Sequence, residues 1–154
     1  MALAYLDTSA LAKRYVPEVG SAWVARLCQQ EPVAISLVAI PELASALARR
    51  TREGALSVQQ RDTFFQACLR DARSFTVVEP NQAIAQQAAT LLLTTPPSVH
   101  LRTLDALHVA SARFAFARAR RRGLATGSFI AADRALLDAA SWAELPTLNP
   151  EDYP

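Results

Sequence analysis

Glycine, cysteine and lysine are scarce in this chain, and each scarcity excludes something. Four glycines and nine prolines in 154 residues are too few for a collagen-like or low-complexity polymer. The two cysteines, Cys28 and Cys68, lie 40 positions apart in stretches with helical patterning, which is neither a disulfide framework nor zinc-ligand spacing. Long apolar runs are missing as well. The longest candidate, around Val33–Ala48, is broken by Pro41 and Glu42, so no transmembrane anchor is expected. The amino terminus has no basic segment and its apolar run stops at Asp7. That reads as mature sequence, not a signal peptide, and points to a cytoplasmic protein. A large charge of one sign is absent too: a net charge of +2 does not by itself announce a nucleic-acid binder. Lys13 is the single lysine among sixteen basic residues. Arginine grips phosphate bidentately, but a GC-rich genome makes the same replacement, so this bias carries little weight.

What is abundant is apolar and small. The chain is 51% hydrophobic and 19% charged, and alanine makes up about a fifth of it, which favours helix. At this length folding buries on the order of two thirds of the surface the unfolded chain exposes, enough for one core without staples. Ala2-Leu-Ala-Tyr-Leu6 reads as a buried strand that delivers the chain to a helix start at Asp7-Thr8-Ser9. Helices are predicted over about 8–16, 20–30, 37–53, 57–72, 81–94, 103–121 and 133–140. Further strands are predicted at Val33–Ile35, Phe75–Val78, Ser128–Ala132 and, weakly, Leu145–Leu148. Pro17, Pro32, Gly54, the Pro96-Pro97 pair and Gly123 are the breaks. With no linker and no repeat, residues 1–154 are expected to form a single α/β domain around a mainly parallel sheet.

Four acids stand where acids are not expected. Asp7 and Asp133 each directly follow an apolar strand and open a helix. Either one alone is a good helix N-cap. Together they would sit on the carboxyl edge of a parallel sheet, where ligands bind. Asp105 shares a helical stripe with Val109, Ala112 and Phe116, so it either points inward or serves as a first-turn acid favoured by the helix dipole. Glu42 sits in a first helical turn among Ile40, Leu43, Ala44 and Ala46, with no basic residue after it until Arg49. If these four converge they form a set of hard oxygen ligands suited to Mg²⁺ or Mn²⁺, and no Cys/His cluster suggests zinc. Such a cation activates water and stabilises charge on a phosphodiester oxygen. Without basic partners the four carboxylates are expected to repel one another.

These residues carry a family resemblance. Tyr5-Leu-Asp-Thr-Ser-Ala-Leu11 resembles the opening motif of PIN-domain nucleases, and Pro41-Glu-Leu-Ala-Ser-Ala-Leu47 resembles their second. Leu101-Arg-Thr-Leu-Asp-Ala-Leu-His-Val-Ala110 is similar to the third, and Phe129-Ile-Ala-Ala-Asp-Arg-Ala-Leu-Leu137 to the fourth. Order, spacing and length are similar to VapC-type toxins of toxin–antitoxin systems. The resemblance implies a three-layer PIN-like α/β fold and a Mg²⁺- or Mn²⁺-dependent endoribonuclease using a metal-activated water. It also implies 5′-phosphate and 3′-hydroxyl products, a VapB-type antitoxin as partner, and a homodimer. Asp7, Glu42, Asp105 and Asp133 become the acidic quartet, with Asp7 and Asp105 the principal metal ligands and Ser9 the small hydroxyl beside the first acid. One departure is Ala131, where the family commonly has Thr or Ser. It removes a hydroxyl that would help to place Asp133.

His108 is expected to pack beside the site, and His100 to be exposed next to the Pro-Pro loop. Arg113, Arg118, Arg120, Arg121 and Arg122 read as a solvated helix end, with an RNA-backbone contact as the sharper alternative. Lys13, Arg14, Arg49 and Arg50 follow acids of the quartet closely enough to flank a phosphate. Two other functions remain. One is a non-catalytic PIN-fold RNA-binding module. The other is a haloacid-dehalogenase-like phosphatase with a nucleophilic aspartate, which needs a second acid where this chain has Ser9.

Overall fold

The computed structural model describes residues 1–153. Five strands, β1 (Ala2–Leu6), β2 (Val33–Ser36), β3 (Thr76–Val78), β4 (Ala125–Ile130) and β5 (Thr147–Leu148), form one all-parallel sheet in the order β3-β2-β1-β4-β5. Among the described residues it is flanked by seven helices: α1 (Thr8–Lys13), α2 (Ser21–Gln30), α3 (Ala39–Arg52), α4 (Val58–Asp71), α5 (Gln82–Thr94), α6 (Thr103–Arg121) and α7 (Arg134–Trp142). A 3₁₀ turn at Pro150–Asp152, absent from the sequence expectations, follows β5.

The strand period of two divides the chain into layers. Leu3 and Tyr5 of β1, with Ala34 and Phe129, join a core built with Ile84 and Leu91 of α5, Val109 and Phe116 of α6, and Leu136 of α7. Ala4 and Leu6, with Val33, Ile35 and Ile130, join a second core with Leu11, Val24, Leu43, Leu47 and Cys68 from α1 to α4. The parallel-sheet α/β domain expected from the pattern, and the three layers implied by the resemblance, are what is observed. No helix among the described residues is long and apolar enough to cross a membrane.

Boundaries moved in two instructive places. α1 ends at Lys13 instead of near residue 16, because Arg14 and Tyr15 turn back onto Leu11 and Ala12 in i→i−3 bonds of 3.0 Å ahead of Pro17. β4 begins at Ala125, three residues before the apolar signal. Ala2 and Leu3 pair with Ala125 and Thr126, and the register then shifts so that Tyr5 meets Phe129. Gly127 eases the bulge, since a Cβ there would stand 3.2 Å from the Leu3 carbonyl oxygen, a tight contact that the neighbour would have to relieve.

The topology also places the site. From β1 the chain proceeds through β2 to β3, then crosses back to β4 on the other side of β1. The crevice outside the carboxyl ends at this reversal is where parallel sheets bind ligands. α6 spans the depth of the sheet. Its start lies at this edge, and its end leads into the first residues of β4 at the opposite edge.

Candidate active site

A cleft of about 630 Å³ opens at the carboxyl edge, and Asp7, Ser9, Glu42, Asp105 and Asp133 all line it. The structure therefore brings together all five residues singled out from sequence. Asp7 leaves β1 and caps α1, its Oδ1 accepting the Ala10 N–H at 2.9 Å. The Ser9 hydroxyl donates to the same carboxylate, 2.7 Å from Oδ1 and 2.9 Å from Oδ2, and accepts the Ala132 N–H at 2.8 Å. One oxygen atom thus ties the ends of β1 and β4 together. Asp7 is only 4% exposed. Burial pushes its carboxyl above the usual range, against the opposing charge of His108 and the donors Ala10 and Ser9.

Asp133 caps α7 by accepting the Leu136 N–H at 3.2 Å. Ala131 is fully buried in the core, and the Asp133 carboxylate is placed by the α7 backbone together with Arg102. Asp105 satisfies both readings of its position. It lies in the first turn of α6 and is 9% exposed, on a stripe whose Val109, Ala112 and Phe116 are all buried.

Glu42, in the first turn of α3, reaches α1 and α6 at once. Its Oε2 accepts the Thr8 hydroxyl and the His108 Nε2–H, each at 2.6 Å. A carboxylate only accepts, so Nε2 carries a proton, and Nδ1 lies 2.9 Å from the Tyr5 hydroxyl. Tyr5 is itself buried and stacked on Phe129. Burial works against the Glu42 charge, but the His108 hydrogen bond and charge, then Thr8 and Arg102, outweigh it and hold the carboxyl below its usual range.

The expectation of a quartet without basic partners is overturned. Arg102 donates through its backbone N–H and Nε to Asp105 Oδ2, at 3.2 and 3.0 Å, and through a terminal nitrogen to Asp133 Oδ2 at 3.4 Å. With His108 on Glu42, three of the four acids have a nitrogen donor within ion-pair distance. Among the described residues no three His, Cys, Asp or Glu side chains stand close enough to form a ready metal cage. The donor set still suits a hard divalent cation. The ligands are carboxylate oxygens, and a guanidinium already stands as a cation between Asp105 and Asp133.

A PIN-domain family model matches residues 4–141. The chain belongs to the PIN-domain family. No curated protein matches the sequence of this PIN domain. Its fold is similar to that of solved structures. One is VapC20 of Mycobacterium tuberculosis, described as a sarcin-ricin loop cleaving toxin (19% identity, TM-score 0.57, covering 79% of this chain and 84% of that one). Another is FitAcB of Neisseria gonorrhoeae (17%, TM-score 0.61, 96% and 97%). A third is VapBC2 of Rickettsia felis bound to a promoter DNA fragment (11%, TM-score 0.61, 96% and 98%). At these identities the likeness is one of fold.

Spacing alone assigns no role to Arg102 or Thr8 and reads His108 as packing. The signal for Arg102 was its place three residues before Asp105, where side chains meet. Glu42 and His108 are 66 residues apart, and nothing local announces their contact. Among the basic residues expected near the PIN-domain cleft, Lys13 is buried and engaged by Glu18 and Glu151, Arg50 pairs with Glu18, and Arg14 turns to Asp71. Arg49 and Arg52 line the cleft without an ion pair among the described residues. Arg118–Arg122 lie at the far end of α6, where a rise of about 1.5 Å per residue puts Arg120 roughly 22 Å from Asp105. His100 is exposed.

Proposed function

We propose that this PIN domain is a Mg²⁺- or Mn²⁺-dependent endoribonuclease of the VapC type, the toxin of a toxin–antitoxin pair. The observation that carries the reading is that Asp7, Glu42, Asp105 and Asp133 all line one cleft of a PIN-domain chain. Asp7 and Asp105 would hold the cation, with Glu42 and Asp133 completing the set. When bound, the ion supplies activation of a water and neutralisation of charge on the scissile phosphate.

The protein's own part is to present these charges without reorganisation. Ser9 and the Ala10 N–H fix the Asp7 carboxylate, and burial removes competing water from it. His108 and Thr8 fix Glu42 and keep it ionised, leaving Oε1 to orient a water by accepting its hydrogen bond. Arg49 and Arg52, on the cleft wall, meet backbone phosphates of the RNA. Attack is direct, with no covalent enzyme intermediate, and leaves 5′-phosphate and 3′-hydroxyl ends.

Residues 1–154 make up one domain that acts in the cytoplasm, pairs as a homodimer and is restrained by a VapB-type antitoxin. The partner reading is supported by a neighbour of the same fold described as a toxin–antitoxin complex from Klebsiella pneumoniae.

The test is incubation of total cellular RNA with purified protein and Mn²⁺. Cleavage that EDTA, Asp7→Asn and Asp105→Asn each abolish is expected. Binding without cleavage by the wild-type protein would overturn the catalytic reading in favour of a non-catalytic RNA-binding module. The phosphatase alternative lacks its second acid, because Ser9 stands there and is engaged by Asp7 and Ala132.

A further inference from the structure

Arg102 stands immediately before α6, so its backbone N–H and its side chain reach the same oxygen, Asp105 Oδ2. The terminal nitrogen then continues to Asp133 Oδ2. One guanidinium therefore spans acids delivered by two separate elements, and the charge of Glu42 also acts on it. The three side chains differ sharply in exposure: 64% for Arg102, 37% for Asp133 and 13% for Asp105. The acids are held by their helices, while the arginine is anchored only at its backbone. Ion pairs of such an exposed side chain are weak, and a long flexible stem leaves them readily.

The two oxygens that Arg102 engages are among those that a hard cation needs. A guanidinium and a divalent ion cannot share them, because like charges that close repel strongly. We propose that Arg102 is an internal counter-cation that competes with the divalent metal for Asp105 and Asp133 and swings into solvent when the ion enters. The inference rests on the metal-dependent reading above. Its consequence reaches the substrate. Metal entry frees a bidentate phosphate-binding fork at the rim of the cleft, so phosphate capture by Arg102 and metal binding strengthen each other by linkage.

The experiment is calorimetric titration of Mn²⁺ into the metal-free protein, comparing wild type with Arg102→Gln, Arg102→Lys and Arg134→Gln. Arg102→Gln is expected to bind Mn²⁺ roughly three- to tenfold more tightly, the scale of two weak exposed pairs removed. Arg102→Lys, which keeps the charge but loses the fork, should fall between the two. Arg134→Gln removes the same charge beside Asp133, from a side chain that turns to Asp152, and should match wild type. Unchanged or weaker Mn²⁺ affinity in Arg102→Gln overturns the competition, as does an equal tightening in Arg134→Gln, and both leave the metal site standing. Absence of Mn²⁺ binding in wild type and Arg102→Gln alike overturns the metal reading together with this one.

Discussion

Ser9→Ala deletes one oxygen and with it the link between the ends of β1 and β4. The hydroxyl donates to the ionised Asp7 carboxylate, a bond to a charged group worth about 1.5–3 kcal/mol, and accepts the Ala132 N–H, worth about 0.5–1.5 kcal/mol. The cleft is open to water on one side, which re-satisfies part of the loss, so about 2–4 kcal/mol is expected at pH 7. For a domain of this size that is a fall in Tm of roughly 5–15 °C. The effect is also pH-dependent. Burial raises the Asp7 carboxyl in the folded protein and the Ser9 bond partly lowers it again. The stability that Ser9 lends to ionised Asp7 is therefore present above the folded-state pKa of this carboxyl and lost as pH falls through it, while the Ala132 contribution persists. Urea unfolding of wild type, Ser9→Ala and Ser9→Thr between pH 3 and pH 7 is the assay. Ser9→Thr, which keeps the hydroxyl, should recover most of the loss. A change below about 0.5 kcal/mol at pH 7, the scatter of ordinary surface substitutions, would refute the reasoning.

Asp7→Asn should make the metal-free protein more stable at pH 7. Because burial raises the folded-state pKa, the wild type loses stability as pH rises through it, so the advantage of the variant should vanish below the ordinary aspartate range in urea melts. His108→Ala removes one partner of the buried Tyr5 hydroxyl and unfastens Glu42, which should cost about 2–4 kcal/mol at pH 7. Since Glu42 is held below its usual range, that deficit should shrink as pH falls through its folded-state pKa, and an undiminished loss at acid pH would argue for packing alone. Neutralising Arg49 and Arg52 together should lower the salt slope of single-stranded RNA binding by about 1.4, at roughly 0.7 per contact, in filter-binding titrations. The same change at Arg120 and Arg121, at the far end of α6, should leave the slope unaltered.

Asp7 and Asp133 were legible as both caps and candidate site residues because the two roles use the same position. An acid that follows a strand and opens a helix necessarily stands at the carboxyl edge of a parallel sheet. Asp105 was legible through the stripe of Val109, Ala112 and Phe116, which fixes the face it shares. The start of β4 was not legible, since Ala125 and Gly127 are poor strand formers around a single Thr126, and the segment joins the sheet because β1 offers it a partner edge.

Local rules acting within a few residues determined the elements of this protein, their order and the two alternating faces of β1. They also determined the four acids and their places at strand ends and first helical turns, since a period of two, a period of 3.6 and a helix cap are properties of neighbours in the chain. Tertiary structure decided which groups neutralise those acids. His108 meets Glu42 across 66 residues, Arg102 meets Asp133 across 31, and Ser9 meets Ala132 across 123. Each of these contacts exists only after separate elements have packed. An electrostatic field set by such contacts cannot be read from spacing, because Coulomb's law depends on distance in space and takes no account of distance along the chain.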